Sequence, residues 1–128
     1  MIVLDTHAWI WWVSEPARLS KAARRQIDRA WTIGIPAICC LEIAVLAARR
    51  RISLDRPTIA WLADALEQPR MELLPLSPAV AAHAADLPAS LPGDPADRLI
   101  VATALVESAP LVTKDERLHT FQGIKAIW

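Results

Sequence analysis

Asp94-Pro95-Ala96-Asp97-Arg98-Leu99-Ile100-Val101-Ala102-Thr103-Ala104, followed shortly by Leu111-Val112-Thr113-Lys114-Asp115, decides how this chain folds. The first segment predicts a helix running to Glu107. Asp94 stands at the N-cap and Pro95 at the first helical position, where a missing N–H costs nothing. Asp97, three residues past the cap, is favoured there by the helix dipole. The second segment opens on a short apolar run, as expected of a strand buried on both faces, with an acid just beyond its end. A helix feeding a buried strand is half of a βαβ crossover.

The rest of the chain repeats this alternation. Strands are predicted at 2–4, 32–35, 71–76, 111–113 and 125–128, and helices at 8–13, 21–31, 37–50, 57–66, 77–86 and 94–107. Ser20 can cap the second helix, and Pro57 suits the first turn of the fourth. Residues 87–93, with two prolines and a glycine, read as a loop. Short apolar strands alternating with helices imply an α/β fold around a mostly parallel sheet. Such sheets hold their sites at the carboxyl ends of the strands, where Asp5 and Asp115 fall.

Composition narrows the function classes. A chain of 128 residues suits a single domain spanning 1–128 with a real core. At 54% hydrophobic and a mean hydropathy of +0.28, disorder is not expected. A formal net charge of zero removes any global electrostatic case for nucleic acid, so such a partner would need a local patch. Adjacent Cys39 and Cys40 make neither a disulfide framework nor a zinc motif and suit a reduced, buried pair. The first residues meet Asp5 at once and lack a basic leader, and no apolar run approaches the ~20 residues of a membrane span. The expectation is a soluble, cytoplasmic protein.

Four acids carry the chemistry: Asp5, Glu42, Asp97 and Asp115. Each lies in or just after an apolar run without an obvious basic partner in its own segment. Glu42 is the most telling, because its neighbours one helical turn away are Ile38, Cys39, Val45 and Leu46. Asp5 and Asp115 can each be read as a helix cap, and Asp94 mainly so. Asp97 exceeds what capping needs and reads mainly as a site residue. Buried carboxylates are costly unless paired or bound to metal, and clustered ones repel. If the four converge, they suit a hard cation, magnesium or manganese.

Taken in order, Leu4-Asp5-Thr6-His7-Ala8, Leu41-Glu42-Ile43-Ala44, the Asp94–Ala104 segment and Leu111–Asp115 resemble the PIN-domain ribonucleases, specifically the VapC-type toxins of type II toxin–antitoxin pairs. The Asp-Pro-x-Asp-Arg helix start with the Thr-x-Asp strand end is the specific part. The resemblance implies a three-layer α/β/α sandwich and metal-dependent hydrolysis of RNA by metal-activated water. One or two Mg2+ or Mn2+ ions would sit among Asp5, Glu42, Asp97 and Asp115, with Asp94 a further member. Asp5 and Asp97 would be direct ligands, and Glu42 and Asp115 would hold metal waters or a second ion. Thr113 matches an accessory hydroxyl, and Thr6 lies beside the first acid. The resemblance also implies a homodimer and a small antitoxin through which DNA is met indirectly, with no membrane partner.

Substrate grip needs positive charge. Arg98, leaving the turn of Asp97, and Lys114 are the candidates nearest the acids. Lys21, Arg24, Arg25 and residues 49–51 can be read either as RNA contacts or as solvated helix charges. His7 reads as structural, Trp9 and Trp12 as core, and Trp11 as a pointer to a base or a partner. Rival readings are weaker. A haloacid-dehalogenase-like phosphoryl-transfer enzyme wants a second aspartate where His7 stands. A receiver domain wants paired acids after its first strand. A non-catalytic protein-binding α/β module would use the acids only as caps.

Overall fold

The computed structural model describes residues 1–91 and 94–128. The elements in chain order are β1 (Ile2–Leu4), α1 (Thr6–Ser14), a 3₁₀ turn (Pro16–Arg18), α2 (Lys21–Arg29), β2 (Ile33–Pro36), α3 (Ala37–Ala48) and α4 (Thr58–Leu66). They continue with β3 (Met71–Leu74), α5 (Pro78–Asp86), α6 (Pro95–Val106), β4 (Leu111–Val112), α7 (Glu116–His119) and β5 (Ala126–Ile127). The strands form one sheet in the order β3-β2-β1-β4-β5, and each pairing among them is parallel.

Strands β1, β2 and β4 are buried along their whole length, which requires helices on both faces. Val3, Leu4, Ile33, Ile35, Leu111 and Val112 supply the sheet's part of the core; Trp9, Ile27, Cys39, Ile43 and Val101 supply the helices' part. Each such aliphatic side chain contributes roughly 1.5–3 kcal/mol when fully buried. The expected three-layer α/β/α sandwich is therefore the observed one. Among the described residues no helix is long and apolar enough to cross a membrane.

Element ends depart from the sequence pattern for local reasons. Helix α1 begins at Thr6, earlier than predicted, because the Asp5 carboxylate caps it, accepting from the Ala8 N–H at 2.8 Å. Helix α2 stops at Arg29 rather than Trp31. Arg70 Nη1 donates to the carbonyls of Ile27 at 3.0 Å and Ala30 at 2.7 Å, satisfying its open end. Trp31 then stands 92% exposed. Helix α3 ends at Ala48, where Arg50 takes a positive φ of 55° and the N–H groups of Arg50 and Arg51 bond back to Ala47 and Leu46. Strand β3 ends before Pro75, which has no N–H for a ladder. The loop expected at 87–93 is seen as far as Leu91; Pro92 and Gly93 lie outside the described residues.

The strand order positions the site. From β1 the chain crosses to β2 on one side and later returns to β4 on the other. The topological switch therefore lies between β1 and β4, where an open parallel sheet leaves a crevice at its carboxyl end.

Candidate active site

Asp5 leaves the end of β1 at that crevice. Its backbone N–H donates to the Val112 carbonyl at 3.1 Å, pinning it beside β4. Thr113, fully buried one residue past β4, hydrogen-bonds the Asp5 carboxylate, and its hydroxyl also accepts from the Asp115 N–H at 3.1 Å. Asp97 enters from the first turn of α6, whose cap is Asp94; the Asp94 Oδ1 accepts from the Asp97 N–H at 3.0 Å. Glu42 arrives from α3, and the buried Thr6 hydroxyl donates to its Oε1 at 2.5 Å.

Asp5, Asp97, Asp115 and Thr113 line one cleft of about 450 Å³ with Lys114 and Arg117. Glu42 and Asp94 line an adjoining groove of about 500 Å³, bordered by Arg49 and Arg51. His7 lines both. The acids sense one another. Burial pushes the Asp5 carboxyl above its ordinary range and the Asp97 charge adds to this, opposed by the Thr113 and Ala8 hydrogen bonds. Burial also raises Glu42, with the Asp97 and Asp94 charges adding and the Thr6 bond opposing. Asp97 is raised by burial, then by Asp94 and Asp115.

Asp115 behaves differently, and here the expectation of unpaired acids fails. Arg117 grips it with Nε at 2.9 Å and Nη2 at 2.6 Å, which lowers the Asp115 carboxyl. The same Nη2 lies 3.9 Å from Asp97. Asp115 also caps α7, accepting from the Arg117 N–H at 3.0 Å. Arg117 is the site neighbour that the sequence pattern missed; its only signal was a base two residues past the acid.

Two further expectations are corrected. Arg98 does not face the acids. Its Nη1 donates to the Pro88 carbonyl at 3.1 Å, and its Nη2 to those of Ala84 at 3.2 Å and Leu87 at 2.6 Å, so it ties the end of α5 to α6. Trp11 is not an exposed stacking surface: it is 8% exposed, packed against the Trp128 and His7 rings at centroid distances of 5.7 and 5.6 Å. Trp9 is core as expected, and Trp12 packs against the core partly buried.

Among the described residues no three His, Cys, Asp or Glu side chains are already drawn into a closed coordination shell. A hard divalent cation does not require one. Magnesium keeps several waters and commonly uses one or two carboxylates. The donor set is all carboxylate oxygen, and three of the acids hold raised pKa values in part because of their neighbours' charge. Such a set fits a partly hydrated cation.

The comparisons agree with this arrangement. The family model of the PIN domain matches residues 2–124. The chain is 46% identical to Ribonuclease VapC22 of Mycobacterium tuberculosis over 119 residues, covering 93% of this chain and 90% of that protein. Among solved structures, it resembles DNA-bound VapBC2 of Rickettsia felis with a TM-score of 0.72 at 18% identity. DNA-bound VapBC of Salmonella typhimurium gives 0.72 at 21% identity. In both, 98% of this chain and 97% of the other are covered. The fold and its crevice of acids define a PIN-domain protein. The chain belongs to that family, in its VapC branch.

Proposed function

We propose that this chain is a metal-dependent endoribonuclease and the toxin of a toxin–antitoxin pair. The observation that carries the reading is the meeting of Asp5, Glu42 and Asp97, from β1, α3 and α6, at the carboxyl end of a parallel sheet, each with its carboxyl raised. Capping accounts for Asp5, Asp94 and Asp115, each of which accepts an N–H at a helix start. It accounts for neither Glu42 nor Asp97, so a non-catalytic module with capping acids leaves two costly carboxylates unexplained. The identity to a ribonuclease of the VapC branch supports the same reading.

Asp5 and Asp97 are the residues to hold Mg2+ or Mn2+ directly, with Glu42 and Asp115 reaching it through water. When bound, the cation supplies Lewis acidity toward a phosphate and a water of lowered pKa. The chain's own residues do the rest. Thr113 and the Ala8 N–H fix the Asp5 carboxylate, so it does not reorganise on binding. Thr6 holds Glu42 Oε1, which leaves Oε2 to accept the proton of the attacking water. Water oxygen bonds to phosphorus, the bond to one ester oxygen breaks, and that oxygen leaves with a proton. A homodimer and a small antitoxin that covers the site complete the proposal; the VapBC assemblies of similar fold support the second part.

The test is RNA cleavage in magnesium by the parent protein and by Asp5→Asn and Asp97→Asn. Each substitution keeps shape and removes charge, so the account expects a fall of at least roughly a hundredfold in rate with the fold intact. Undiminished cleavage by either folded variant rejects the assignment. Sequencing cellular RNA ends after induction, with Asp5→Asn as control, names the substrate.

A further inference from the structure

We infer that Arg18 and Lys114, carried on the ring of Trp11, form a binding subsite for an RNA phosphate next to the one being cut; this rests on the nuclease reading. The Trp11 ring is buried and fixed by Trp128 and His7. Onto its remaining surface come two cations, the Arg18 guanidinium carbon at 4.7 Å from the ring centroid and Lys114 Nζ at 5.8 Å. Two like charges on one ring repel each other, and the cation–π attraction that gathers them leaves their hydrogen-bond donors available. Arg18 meets only Glu15, at 3.5 Å, with both side chains 57% exposed, so that pair is weak. Among the described residues Lys114 makes no ion pair.

Both cations border the cleft of Asp5 and Asp97. The frame that carries them is the frame of the acids: Trp11 lies on the helix that Asp5 caps, and Lys114 stands between Thr113 and Asp115. Arg117, the other base of this cleft, is committed to Asp115, and Arg98 to backbone carbonyls. A nucleic-acid backbone entering a cleft of carboxylates is repelled unless positive charge meets it, and a chain of zero net charge must supply that locally. A cation at the acids answers for one phosphate. Arg18 and Lys114 answer for its neighbour. Trp11 is a positioning residue that never touches a base.

The experiment is the affinity of a labelled single-stranded RNA, by fluorescence anisotropy in magnesium at several salt concentrations, on an Asp97→Asn background so that the strand survives. The test variant adds Arg18→Gln and Lys114→Gln, both exposed positions. A charge-matched control adds Arg24→Gln and Arg25→Gln on the exposed side of α2. The expected result is a loss of about tenfold in affinity for the test variant and a salt slope smaller by about 1.4, from ~0.7 for each phosphate contact on a single strand, with the control unchanged. An unchanged slope in the test variant, or an equal change in the control, overturns the subsite. Absence of RNA binding by the parent at every salt concentration defeats the nuclease reading, and the subsite with it.

Discussion

Arg117 changes what Asp115 can be. Its guanidinium satisfies both oxygens of that carboxylate and reaches toward Asp97, so part of the negative charge of the cleft is already answered within the chain. The Arg117 side chain is 56% exposed, and an exposed pair of this kind is worth at most about 1 kcal/mol, so a doubly charged ion can displace it. Replacing Arg117 with Gln should therefore raise the Asp115 carboxyl toward its ordinary range, and Asp97 further above it, as followed by carboxyl NMR titration. An unmoved Asp115 would show that its capping of α7, not Arg117, sets its charge. At this scale Glu42 and Asp97 were legible, because residues one helical turn away already showed no base. Arg117 was not, because its approach depends on α7 starting at Asp115 and folding the side chain back. Trp11 was misjudged for a related reason: what covers it is Trp128, from the far end of the chain, which no local pattern contains.

Helix α6 serves two neighbours at once. Its first turn delivers Asp97 to the cleft, while Arg98, the next residue, seizes the carbonyls at the end of α5. A charged donor to several otherwise open carbonyls has a structural task, so Arg98→Ala should cost roughly 2–3 kcal/mol in stability by urea denaturation. Arg24→Ala, on a solvated face, should cost no more than about 0.5 kcal/mol. Equal effects would deny Arg98 that role. The existence and type of these elements were readable from apolar spacing and from Ser20, Ser77, Asp94 and the prolines. Their ends were less so. Arg70 closing α2 and the left-handed Arg50 closing α3 are long-range and backbone facts respectively, and neither is written in periodicity.

For the whole molecule, the decisive fact is the strand order. Alternating helices and strands foretell a parallel sheet, but not that β1 stands at its centre with β2 on one side and β4 on the other. That order places Asp5 and Thr113 side by side, and the packing of α3 against α6 brings Glu42 and Asp97 within each other's field. The convergence proposed from scattered acids thus depends on topology that only the fold supplies. Manganese added stepwise to the isotope-labelled protein, with amide signals followed by NMR, reads that convergence directly. The account predicts that Asp5, Thr6, Glu42, Asp97 and Thr113 broaden together at substoichiometric ion, well before the exposed Asp55 and Asp64. Broadening that begins at Asp55 and Asp64, or that never reaches Asp5 and Glu42 with the same ion, would contradict it.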